Sequence, residues 1–129
     1  MRIIRKKQIV LLILLALLFS QGDVASETIC KSALTTRDMI DCYKQELEKA
    51  TQQVGALEER IASRLSDEEK AVFKSAIAAW GSYLDANCRS EAVLYKGGTM
   101  ESVVFLGCKL QLTKERINQL SKTYDVRLR

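Results

Sequence analysis

Not one proline occurs in the 129 residues of this chain, and over most of its length apolar side chains recur at steps of three and four. Proline breaks helices by removing a donor and clashing with the preceding turn. Its absence, combined with that period, points to long uninterrupted helices. Strand-like alternation does not run over any useful length, so the expected fold is all-α.

The helix boundaries can be read from polar residues. Thr35 with Asp38 three positions on has the capping-box arrangement, each side chain satisfying an orphan amide of the other. Ile40, Tyr43, Leu47, Ala50, Val54, Leu57 and Ile61 then form one stripe, and the helix is expected to end near Leu65. Ser66 with Glu69 repeats the box at once, so a second helix starts within a residue or two of the first and is expected to fold back on it as an antiparallel hairpin. Its stripe reads Val72, Phe73, Ala76, Ile77, Trp80, Leu84 and Cys88, with Trp80 as a core aromatic. The pattern fails after Ala92. Gly97 or Gly98 is expected to take a left-handed cap, and Thr99 to cap a third helix carrying Val103, Leu106, Leu110, Ile117, Leu120 and Tyr124. The third helix is expected to be continuous, with Thr113 to Arg116 as the place where a kink or restart would fall. The whole is a three-helix bundle: an antiparallel hairpin plus a third helix.

The compartment follows from the first residues. Arg2, Arg5, Lys6 and Lys7 precede an apolar run from Ile9 to Phe19, which has the form of an export signal. The run is well short of the ~20 residues needed to cross a bilayer as a helix. Residues 1–22 are therefore expected to be a signal peptide, cleaved after Gly22 or Ser26, leaving 23–129 as a single domain without a stable membrane span. Removing residues 1–22 takes away four of the 20 basic residues and none of the 16 acids, leaving 16 against 16. A neutral domain has no electrostatic reason to seek nucleic acid or anionic lipid, so the partner is expected to be protein. Periplasmic and extracellular locations fit equally, and nothing in the sequence sets the oligomeric state.

In an exported chain of this size, the four cysteines Cys30, Cys42, Cys88 and Cys108 read as two disulfides. Cys42, Cys88 and Cys108 lie at similar heights along their helices, so height alone permits more than one pairing. Helical phase discriminates further: Cys42 lies off its helix's apolar stripe, whereas Cys88 lies on the second helix's stripe. This favours Cys30–Cys42 and Cys88–Cys108.

Catalysis and metal binding are not expected. Without a single His no Ser-His-Asp or Cys-His arrangement can be built, and disulfide-bonded cysteines are not nucleophiles. The chain lacks His and the Cys-x-x-Cys spacing of zinc sites, and no cofactor motif is present. The acidic pairs Glu58/Glu59 and Asp67/Glu68/Glu69 lie on polar faces or at a helix start, where acids are favourable in any case. Specific recognition is expected instead in the segment around Glu91, Tyr95, Lys96, Gly97, Gly98 and Glu101, because Cys88 and Cys108 would fasten both of its sides and fastened loops lose less entropy on docking.

One combination of residues resembles a known family. Cys30, Ala33, Thr35, Thr36, Met39 and Cys42 at the front are followed by Ala79, Trp80, Tyr83, Asp85 and Cys88. Gly97, Gly98, Thr99, Cys108 and the run Leu112, Thr113, Lys114, Glu115, Arg116 ahead of Leu120 complete the pattern. Together they resemble the LprI-like lysozyme-inhibitor domains of secreted bacterial proteins. The chain departs from that pattern between Ala50 and Val54, where relatives usually show Leu-Asn and then Tyr. It departs again at Leu84, where they tend to carry Arg. The resemblance also favours Cys30–Cys42, since relatives holding only the front pair are familiar. It implies binding and inhibition of lysozyme. From the residues of the fastened segment, Tyr95 and Lys96, with Glu91 and Glu101 at the flanks, are expected to contact the catalytic cleft of a lysozyme or related muramidase. The alternatives are an immunity protein against a delivered periplasmic toxin, or a structural interaction protein of the envelope.

Overall fold

Both capping boxes form, and they start the first two helices. In the computed structural model, which describes residues 30–129, α1 spans Thr36–Ala62 and α2 spans Asp67–Ala92. Thr35 Oγ1 accepts the Asp38 amide at 3.1 Å while Asp38 accepts the Thr35 amide at 3.1 Å. Ser66 and Glu69 reciprocate in the same way, at 3.3 and 2.8 Å. The first helix stops three residues before Leu65, because the Ser63 hydroxyl donates to the Arg60 carbonyl and the backbone tightens into shorter-range bonds at Arg64 and Leu65. That frees Ser66 to adopt the extended backbone a cap requires.

A single 3₁₀ turn, Val93–Tyr95, follows α2 directly, and α3 runs Met100–Thr123 before a last short turn of helix, α4, Asp125–Leu128. As expected, α3 is continuous through Thr113 to Arg116, and Thr113 is buried in it at 2% exposure. The chain divides after Ser32, and Ala33–Arg129 form one compact unit. Of the residues before the division, only 30–32 are described, as a turn. The expected signal segment, residues 1–22 with cleavage after 22 or 26, lies outside the described residues. No helix among the described residues is long and apolar enough to cross a membrane.

The three-helix architecture holds, but its centre is the third helix. Tyr43 lies against Gly107 near the starts of α1 and α3, and Val54, Leu57 and Ile61 cluster with Leu120 near their ends, so α1 and α3 run parallel. The second helix runs antiparallel on α3, with Cys88 bonded to Cys108 and Phe73 meeting the Tyr124 ring edge-on at 5.3 Å. The expected antiparallel hairpin of α1 and α2 forms, and both of its helices pack chiefly along α3 rather than on each other. The stripe on α2 was too broad for the same reason. Phe73, Leu84 and Cys88 are buried and Ile77 half-buried, while Val72 and Ala76 face solvent. Trp80 is half-buried, not a core residue, and lies beneath the Arg116 guanidinium at 5.7 Å.

Arg116 belongs to a polar seam. Its Nε and Glu58 Oε1 are buried without a hydrogen-bond partner, and its Nη1 donates to Gln119 at 3.1 Å. Burial raises the Glu58 carboxyl above its ordinary range, and the charge of Arg116 only partly opposes this. A carboxyl whose folded-state pKa lies above its unfolded value favours folding while protonated and loses that advantage as pH rises. Thermal unfolding is therefore expected to show Glu58→Gln melting above the parent at pH 7, with the gap closing toward pH 4.

Gly107 generates a second prediction. A Cβ built there would sit 3.6 Å from the Tyr43 ring, an ordinary van der Waals contact. Gly107→Ala should stabilise the fold by about 0.5–1 kcal/mol through helix propensity, whereas Gly107→Leu should lower the melting temperature by forcing Tyr43 aside.

Candidate functional site

The segment from Arg89 to Met100 joins α2 to α3 and forms one end of the bundle. Directly beneath it, Cys88 and Cys108 are disulfide-bonded with Cα atoms 5.5 Å apart, and Cys88 is fully buried. No cysteine is free, and Cys30 and Cys42 are also disulfide-bonded, so the favoured two pairings stand. The chain-entropy model assigns a closed loop of this length on the order of 3 kcal/mol.

Charge and aromatic contacts reinforce the base. Arg89 Nε donates to Asp85 at 2.6 Å, and Lys109 approaches the same carboxylate at 3.6 Å. Both cations lie over the Phe105 ring, at 5.6 and 5.2 Å. The hydrogen bond from Arg89 holds the Asp85 carboxyl below its ordinary range. Asn87 donates to Glu91 at 2.8 Å and to Cys108 Sγ at 3.7 Å, so Glu91 is tied into α2.

The turn itself is built from backbone. Lys96 N–H reaches the Val93 carbonyl at 3.2 Å and Gly98 N–H reaches the Tyr95 carbonyl at 3.0 Å. Gly97 has φ +80, the left-handed region in which Cβ-bearing residues are strained. A Cβ on Gly98 would come within 3.3 Å of the Tyr95 carbonyl oxygen. Thr99 does not cap α3 with its side chain, contrary to expectation, because it is already helical, at φ −66 and ψ −21. Glu101 satisfies an amide of the turn instead: its Oε2 accepts the Gly97 N–H at 3.0 Å.

Of the six expected contact residues, Tyr95 and Lys96 face solvent, the two glycines shape the turn, Glu101 braces it, and Glu91 is exposed and bonded to Asn87 within α2. Leu94 lies in the expected Arg89 to Met100 segment beside Tyr95, but the apolar neighbours of Tyr95 were not among the expected contacts. Leu94 is 80% exposed, Val93 54% and Met100 40%. Leu34, at 91%, precedes the start of α1, where Thr35, Ile40 and Lys44 line a shallow groove together with Gly98 and Thr99. The consecutive Val93 and Leu94 beside a glycine pair were the available signal for the first two. The position of Leu34 had none, since it depends on α1 and α3 running parallel.

This end of the molecule presents Val93, Leu94, Tyr95 and Met100 to solvent. Exposed apolar side chains and a tyrosine on a braced turn are the composition of a protein-docking surface. Among the described residues no cluster of three or more His, Cys, Asp or Glu side chains could hold a metal ion.

Comparison with known proteins bears on the whole described region. A family model described as Lysozyme inhibitor LprI matches residues 30–120, which include all four cysteines and the braced turn. An uncharacterized protein of Rhizobium meliloti (strain 1021) is 28% identical over 109 residues, covering 74% of this chain and 78% of that protein. No solved structure matches.

The turn's construction makes its own prediction. Gly97→Ala should cost about 1–2 kcal/mol, the penalty for a side chain in the left-handed region, and Glu101→Ala should cost less. In both variants hydrogen exchange should quicken at the Gly97 and Gly98 amides while the Cys88–Cys108 bond stays intact in non-reduced mass maps.

Proposed function

Because the chain belongs to the LprI lysozyme-inhibitor family, we propose that it works outside the cytoplasm, in the periplasm or secreted, by binding and inhibiting a lysozyme-type peptidoglycan hydrolase through the 93–100 turn. The observation that carries this reading is the exposure of Val93, Leu94, Tyr95 and Met100 on a turn fastened by Cys88–Cys108. Exposed apolar side chains on a rigid turn cost little entropy to dock, and tyrosine is among the residues that most often dominate interface energies. Lys96 extends the patch with a solvated charge suited to the acid-lined cleft of a glycoside hydrolase. The two disulfides are stable only in an oxidising compartment, where such hydrolases act on the cell wall.

Titration of the oxidised protein into activity assays with several lysozyme types tests this. Inhibition and a complex visible by size exclusion are expected with at least one. Neither effect at concentrations up to roughly tens of micromolar would sink the reading for the enzymes assayed. In an active inhibitor, Leu94→Asp and the pair Tyr95→Ala with Lys96→Ala should each weaken inhibition about tenfold or more, as loss of a central interface anchor does, with melting temperatures unchanged. Unaltered potency would move the contact elsewhere.

A further inference from the structure

One side of α2 is left without a partner among the described residues. Val72, Ala76, Ala79, Tyr83 and Ala86 recur at steps of four and three, and all are exposed, Val72 by 68% and Tyr83 by 56%. Ser75, Ser82 and Ser90 border them. At 100° per residue the charged side chains between Glu69 and Arg89, namely Lys70, Lys74 and Asp85, project from other sides of the helix. Phe73, Ile77, Leu84 and Cys88, which meet the rest of the bundle, lie roughly a third of a turn away. A helix side that faces only water ordinarily carries charge, and this one is uncharged and studded with two large apolar groups.

The strip also matches itself. Steps of four and three are the period at which two helices lie side by side, and the alanines let backbones approach closely. The ends of the strip carry opposite charge, with Glu68 and Glu69 at the start of α2 and Arg89 near its end. Glu69 is engaged with Ser66 and Arg127, whereas Glu68 lies in the exposed first turn. Arg89 spends Nε on Asp85, leaving its terminal nitrogens to donate.

We propose that this face of α2 is a self-association surface, on which a second copy of the chain docks its own α2 in the antiparallel sense. With the two-fold axis at Ala79, Ala79 meets its counterpart and Val72 lies opposite Ala86. Tyr83 rests on the small residues Ser75 and Ala76, and Glu68 comes opposite Arg89 at both ends. The two helix dipoles then oppose, which is the favourable arrangement. The seam is about 30 Å long. A single helix pair falls below the ~1,200 Å² of standard interfaces, so the dissociation constant is expected on the order of 0.1–1 mM. Antiparallel docking sends the two 93–100 turns to opposite ends of the pair and leaves both open.

Sedimentation velocity of the oxidised protein from about 10 µM to about 1 mM tests the proposal independently of any hydrolase. Reversible dimerisation is expected. Ala79→Glu, at an exposed helical position, should abolish it without changing the thermal melt. Glu68→Arg and Arg89→Glu should each weaken it several-fold, and the two combined should restore it. A monomer throughout the range, or a dimer indifferent to Ala79→Glu, overturns the surface. Failure of the double exchange to restore association overturns the antiparallel arrangement.

Discussion

The bond between Cys88 and Cys108 sets the register on which the α2 and α3 contacts depend. It ties two antiparallel helices at one height, and each step back along α2 is then matched by a step forward along α3. Eight residues in each direction bring Trp80 to Arg116, about fifteen bring Phe73 to Tyr124, and nineteen bring Glu69 to Arg127 at 2.9 Å. A slip of even one residue would turn Phe73 out of the core it shares with Ile61 and Leu120. A covalent link therefore enforces a packing that burial also favours, which gives a small domain a single arrangement despite a slender core.

The same bond sits at the base of the exposed 93–100 turn. Above it the chain has only residues 89–107 in which to reverse direction, and it does so with a 3₁₀ turn, one left-handed glycine and a carboxylate that accepts the glycine's amide. Because Glu101 is engaged by the turn and Glu91 by Asn87 within α2, the side chains the turn presents to solvent are mostly apolar. This changes the character of the site expected from sequence, from a polar tip with acidic flanks to an apolar patch around Tyr95 with Lys96 beside it.

Much of this was legible in the order of residues. The capping boxes at Thr35 and Ser66, the absence of proline, the stripe from Ala50 to Ile61 and the left-handed glycine depend on interactions within a few residues, and local sequence specifies such interactions directly. The α2 stripe was legible only in part. Val72 and Phe73 are neighbours of equal apolarity, and nothing local says which of two adjacent faces meets another helix and which stays in water.

The sequence by itself determined the helices, the two capping boxes, the favoured cysteine pairing and the family resemblance, because periodicity, capping and spacing act over short stretches of chain. Only the tertiary structure decided that α3 lies between α1 and α2, that Leu34 is brought to the end of the bundle bearing the braced turn, that Glu101 is spent on Gly97, and that one face of α2 remains bare. Those outcomes depend on which apolar stripe finds which neighbour, and that competition is settled by burial among segments far apart in the chain.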